Sequence, residues 1–185
     1  MVSLKYSLTQ DDYINYYLFM TWDAPGRKKG RLKYYLRQVL INSGVIAILF
    51  FTDIFRFNRT SLYIYVGVML VITLMQIFNA RLNVKKQAEK TAAAPGNQNF
   101  FLDLTIDISD AGVISKNEIA ETKYRWPAFI KKEENNEYYF LFTSDVQALI
   151  FPKRVFKTGT DRQQFEKLLS QHLSFDAEVG HLIKE

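Results

Sequence analysis

Two apolar runs, set close together before the midpoint of the chain, constrain its fold more than any other feature. Residues 39–52 read VLINSGVIAILFFT, and the apolar character continues to Phe55 with Asp53 as one interruption. Residues 61–78 read SLYIYVGVMLVITLMQIF and carry no formal charge. A helix needs about 20 apolar residues to cross a hydrocarbon core of about 30 Å. The second run meets that need almost unaided. The first meets it if Tyr34, Tyr35 and Arg37 form its interfacial end, with the Arg37 stem reaching back to the headgroups. Paired helices inside a soluble bundle would each keep a polar face, and residues 45–51 and 66–74 show none. The expectation is a transmembrane hairpin within residues 34–80, with spans at about 36–55 and 61–80. No apolar stretch occupies the first thirty residues, so the first span does not read as a cleaved signal.

The flanks give the orientation. Arg27, Lys28, Lys29, Arg31, Lys33 and Arg37 precede the first span, and Arg81, Lys85, Lys86 and Lys90 follow the second. In the connecting stretch, Arg56 and Arg59 are offset by Asp53. Excess basic charge marks the cytoplasmic side, so both termini are expected inside and the short loop outside. Tyr34 and Tyr35 mark the inner boundary, with Phe55, Phe57, Tyr63 and Tyr65 near the outer one.

The same charges explain a pI near 9.3. Residues 1–100 hold thirteen Lys/Arg against five Asp/Glu, whereas residues 101–185 hold eleven against fourteen. Basicity therefore sits beside the apolar runs, and the remainder is mildly acidic, which argues against a nucleic-acid partner. The basic run is a topology signal that also attracts anionic lipid, at about 1 kcal/mol per basic residue near the surface. Within the spans, Asn42 and Gln76 sit at comparable depth and suggest an interhelical hydrogen bond worth about 0.6 kcal/mol. Ser43 and Ala47 offer a small-residue step for close helix approach. Mid-depth positions carry no ionisable side chain, which argues against an ion relay.

Residues 1–33 read as a strand and an amphipathic helix. Val2, Leu4, Tyr6 and Leu8 alternate with Ser3, Lys5 and Ser7 at strand period. Thr9 suits a helix N-cap, Asp11 and Asp12 place negative charge on the first turn, and an apolar stripe follows to about Met20. This piece is too short to fold alone, so it packs on the later domain or lies against the bilayer; Asp11 and Asp12, repelled by anionic headgroups, favour packing. Residues 81–97 read as a helical extension and linker, ending in Ala94-Pro95-Gly96-Asn97.

From residue 98 the pattern changes to short strands, at 101–108, 113–117, 121–126, 129–133, 138–143 and 147–151. Thr160 with Gln163 suggests a capping box for a helix presenting Phe165, Leu168, Leu169 and Leu173 on one face. Short antiparallel strands closed by one amphipathic helix describe a bent sheet or barrel of pleckstrin-homology type. The fold class expected is α+β: a two-helix membrane hairpin plus a PH-like domain over residues 98–185.

Reactive chemistry is sparse. The chain has no cysteine, and His172 and His181 stand in no metal-binding or carboxylate–histidine spacing. Gly26 and Gly30 frame a basic run rather than a phosphate loop. Asp107 and Asp110 flank a turn, where a carboxylate pair is usually solvated. No enzyme activity, metal or cofactor is expected.

Several steps carry a resemblance. Residues 6–13 (YSLTQDDY), the early hairpin, residues 106–113, Tyr124-Arg125-Trp126 and residues 148–156 (ALIFPKRVF) are similar to the YcxB-like membrane proteins of bacteria. The resemblance implies a cytosolic PH-like domain tethered to the inner membrane and no reaction. Trp126 reads as a core plug at a strand end, with Pro127 as its stop. Pro152 ends a strand and directs Lys153 and Arg154, which read either as solvated charges at a sheet rim or as contacts for a lipid headgroup or a partner, while Phe156 completes the motif. The expected function is a non-enzymatic interaction module at the bilayer surface, with a protein partner and homo-oligomerisation left open. The alternative is an accessory, regulatory or immunity-type subunit acting through the hairpin.

Overall fold

Strict alternation makes strand β1 (Val2–Tyr6), which buries Val2, Leu4 and Tyr6 and turns Ser3 and Lys5 outward. The computed structural model describes residues 1–51 and 59–173. They form two compact units, one of Met1–Tyr16 with the described chain from Thr91 onward, the other Tyr17–Lys90.

In the first unit, β1 pairs antiparallel with β2 (Leu104–Ser109), with Val2 opposite Ile108 and Tyr6 opposite Leu104. β3 (Gly112–Lys116) and β4 (Glu121–Tyr124) extend this into a four-stranded sheet of order β1-β2-β3-β4. A second sheet holds β5 (Lys131–Glu134), β6 (Tyr138–Phe142) and β7 (Ala148–Pro152). Between them lies a 3-10 turn, Trp126–Ala128, with Pro127 inside it. Pro127 lacks an N–H and restricts Arg125–Trp126 to extended or turn geometry, so ladder pairing stops at Tyr124. Two antiparallel sheets therefore replace the single bent sheet anticipated, and among the described residues no closed barrel forms.

α4 (Gly159–His172) brings its apolar face to both sheets. Phe165 and Leu169 are fully buried with Ile106, Ile108, Leu141 and Phe151. Each such side chain is worth about 1.5–3 kcal/mol in burial. Its N-cap is Thr158, two residues before the expected Thr160: the extended Thr158 accepts from the Asp161 N–H at 3.1 Å.

β6 reads YYFLF and is buried along its whole length. Tyr139 and Leu141 enter the common core. The opposite face meets α1 (Gln10–Leu18), with Tyr16 on Phe140 at 5.8 Å and Asn15 bonded to the Tyr138 hydroxyl. A strand covered on both sides needs apolar residues at every position, which is why β6 lacks alternation. The expected strand beginning at Phe101 begins instead at Leu104. Pro95–Phe101 forms a 3-10 segment, and Phe100 and Phe101 pack against the Tyr13 ring.

The second unit contains a π-helical turn (Phe19–Asp23), a 3-10 turn (Pro25–Arg27), α2 (Lys28–Phe51) and the first part of α3 (Arg59–Ala93). One helical stretch among the described residues, Tyr63–Ala93, is long and apolar enough to cross a membrane. The first expected span runs on into residues 52–58, and Asp53, Phe55, Arg56 and Phe57 lie outside the described residues.

Candidate functional site

The Pro-Lys-Arg step lies where β7 meets α4. Pro152 is fully buried at the strand end, and Lys153–Val155 makes a 3-10 turn whose first N–H donates to the Glu137 carbonyl at 2.7 Å. That turn sends the two cations in different directions.

Arg154 reaches the N-terminal segment. Its two terminal nitrogens donate to Asp12 Oδ1 at 2.6 Å and Oδ2 at 2.5 Å. Asp12 Oδ2 also accepts the Thr9 N–H at 2.7 Å, and Thr9 Oγ1 accepts the Asp12 N–H at 3.2 Å, a reciprocal cap for α1. The Tyr138 hydroxyl donates to Asp12 Oδ1 at 2.8 Å. Nearby, the Tyr6 hydroxyl donates to the Ile150 carbonyl at 2.6 Å. Burial by itself would raise the Asp12 carboxyl, but Arg154, Thr9 and Tyr138 together hold it below its ordinary value. The Asp12 side chain is 1% exposed and that of Arg154 50%. A carboxylate so enclosed is stable only with its lone pairs filled, and here they are. The fork that suits a headgroup is therefore occupied from within the protein. In sequence, Asp12 is one of two helix-start acids, and only the Thr9-x-x-Asp12 spacing separates it from the exposed Asp11.

Lys153 turns to the Tyr139 ring, its Nζ 4.7 Å from the centroid. The Tyr139 hydroxyl donates to Glu166 and accepts from Arg162 Nε at 3.1 Å, and Arg162 Nε also donates to Glu166 at 2.9 Å. Burial, then the Glu166 contact, pushes the Tyr139 phenol up to about 12. Phe156 packs edge-on against Tyr139 at 6.1 Å and against Phe165 at 5.0 Å, so the last residue of the motif is a core contact.

Trp126 is buried, and its indole N–H is shared between the Ser109 and Asp110 carbonyls, both at 3.1 Å. His172 stacks on the indole at 4.9 Å and 8°, and its Nε2 lies 3.2 Å from Asp110 Oδ1. An open cleft of about 540 Å³ runs beside them, lined by Asp110, Arg125, Trp126, Phe129, His172 and Leu173. The His172–Asp110 pairing joins two distant turns and has no signature in local spacing. Asp107 instead accepts from the Ser3 hydroxyl at 2.6 Å, so the two acids near this turn do not pair with each other. Trp126→Phe should keep the stack but lose the shared donor, costing about 1 kcal/mol in a urea unfolding series. Among the described residues no group of three or more metal-ligating acids and histidines forms, and His181 lies outside them.

The second unit holds the basic and aromatic residues that the sequence places at the ends of the expected spans. Arg81 makes a two-pronged pair with Asp23 at 3.0 and 2.8 Å, and Arg27 Nε donates to the Met20 carbonyl at 2.6 Å. Arg31 donates to the Trp22 carbonyl. Trp22, Tyr34 and Tyr35 form a cluster of edge-to-face rings, with Arg37 5.6 Å from the Tyr34 centroid. Lys85 pairs with Glu89 at 4.0 Å, while Lys28, Lys29, Lys33 and Lys86 are exposed. Asn42 Nδ2 donates to Gln76 Oε1 at 3.0 Å and to Thr73 Oγ1 at 2.8 Å. Ser43 and Ala47 are exposed, so the small-residue step does not form the contact face. That face carries Gln38, Asn42 and Ile46, one helical turn apart.

Residues 108–169, from the end of β2 to the last turns of α4, match the family model described as YcxB-like protein. No curated protein matches the chain.

Proposed function

We propose that this chain, which carries a YcxB-like domain, is a non-enzymatic bacterial inner-membrane protein that presents a PH-like interaction domain to the cytoplasm. The anchor is read as a two-span hairpin, α2 and α3, with both termini cytoplasmic. The observation that carries this reading is the inverted polarity of the helix pair. Asn42 is buried against Thr73 and Gln76, whereas Leu40, Ile48, Leu70, Val71, Met75 and Phe78 are exposed. Water would favour the opposite arrangement; a hydrocarbon solvent favours this one. The basic collar and the Trp22–Tyr34–Tyr35 cluster suit the inner interface.

The PH-like reading rests on two antiparallel sheets sharing a core with one C-terminal helix. Asp12 and Trp126 have their buried polar groups filled from within the unit, which leaves its surface charges for recognition. Alkaline carbonate extraction and a reporter fused after Glu185 test the anchor. The chain should stay in the membrane pellet and report from the cytoplasm; release, or an external C-terminus, overturns the reading. Replacing residues 34–80 by an unrelated two-span anchor tests the module. Retained activity assigns recognition to the domain, and lost activity favours a subunit that works through its hairpin.

A further inference from the structure

We propose that Lys153 and Arg162 form a binding site for a phosphate group beside the buried Tyr139 ring. Among the described residues Lys153 pairs with no carboxylate; its Nζ lies 4.7 Å from the ring centroid. The Arg162 carbon Cζ lies 5.9 Å from the same centroid. Arg162 uses Nε for Tyr139 and Glu166, which leaves its two terminal nitrogens without a hydrogen-bond partner among the described residues. Two cations thus share one platform and one counter-charge, Glu166, whose Oε1 takes both the Tyr139 and Arg162 bonds. The neighbouring Arg154 adds no free charge, because Asp12 neutralises it.

A surplus positive charge, two guanidinium nitrogens not used by Tyr139 or Glu166 and a point-charge ammonium are what a tetrahedral oxyanion requires. The ring fixes Lys153 and the hydroxyl fixes Arg162, so less ordering is needed on binding. Tyr139 is 1% exposed and packs on Phe156 and Phe165, so the platform is part of the core. The site differs from the Lys153–Arg154 pairing suggested by the motif: its second cation comes from α4, nine residues farther along the chain. The phosphate can belong to a lipid headgroup or to a soluble phosphate. Only the first source rests on the membrane reading above.

The test uses the full chain in phosphatidylcholine nanodiscs, with acetylation of each lysine followed by mass spectrometry. Lys153 should react about threefold more slowly, or slower still, when its ammonium is held by an oxyanion. One arm adds inorganic phosphate, and the other replaces half the lipid with phosphatidylglycerol. Slowing by phosphate alone identifies a soluble ligand, and slowing by phosphatidylglycerol a headgroup; either supports the site. Lys116 and Lys123, both paired with Glu121, serve as references and should not change. Arg162→Gln should abolish the protection. Glu166→Gln, which removes the competing carboxylate, should strengthen it and serves as the informative variant if Arg162→Gln fails to fold. Absence of slowing in both arms overturns the proposal. So does equal slowing by potassium chloride at matched ionic strength, or protection that neither variant alters. A chain that does not enter the discs refutes the anchor, and the phosphate arm then remains readable in detergent-free solution.

Discussion

Arg154→Ala is expected to destabilise the sheet-bearing unit by about 3–5 kcal/mol at neutral pH, the cost of leaving a buried carboxylate without its cation. Tyr138 and Thr9 would still donate to Asp12, which places the result toward the lower end of that range. Arg154→Lys should recover only part of the loss, since an ammonium cannot serve both oxygens as a fork does. The pH dependence separates this cause from lost packing. In the native protein the Asp12 carboxyl is held low. Its contribution is therefore full above the unfolded-state value of about 3.9 and fades as pH falls through the lower folded value. Without Arg154, burial dominates and the folded value rises, so protonation of Asp12 relieves the variant as pH falls. The gap between native and variant proteins should narrow in acid. Urea unfolding of the full chain in detergent, followed by tyrosine near-UV circular dichroism, reads both; a gap constant with pH would place the loss outside the Asp12 charge.

Gly112→Ala should cost about 3 kcal/mol or more, from backbone strain and collision together. Gly112 has φ of 141°, a conformation essentially reserved for glycine. A Cβ there would lie 2.1 Å from the Tyr124 carbonyl oxygen and 3.2 Å from the Arg125 Cα. Both neighbours are backbone, so no side-chain rotation relieves them. Val113 is paired with Tyr124 in the β3–β4 ladder, and Trp126 follows two residues later. The predicted signature is faster amide exchange along β3 and β4 with little change in β6. A penalty below 1 kcal/mol would mean that the turn adapts without disturbing the ladder.

Asp12 and Gly112 differ in how much of their role is written in local sequence. The strand centres follow from alternation and turn residues because both are local, whereas the strand ends set by Pro127 and by the packing of Phe100 and Phe101 on Tyr13 do not. Residues 138–143 read as one short strand among six, and their burial on both faces depends on α1, which no local pattern places there. Asp12 was visible only as a helix-start acid, because its burial depends on Arg154, far away in the chain, and on Tyr138. The motif cations looked alike in sequence, yet one points into a buried ion pair and the other onto an aromatic ring. Their separation depends on the 3-10 turn after Pro152, whose direction no residue pattern specifies. The nearness of Arg162 to Lys153 has no local signature, because the i,i+4 spacing of Arg162 to Glu166 ordinarily marks a solvated helix face.

The pairing of β1 with β2 carries a consequence for how the protein is made. Val2 must wait for Ile108, and everything between them leaves the ribosome first. A lone five-residue strand has no stability of its own, and closing so long a loop carries an entropic penalty that only the finished core repays. The sheet-bearing unit therefore reaches its native state only after the helical insertion has been synthesised. Truncated chains that end within the insertion would display an unpaired strand and an exposed α1.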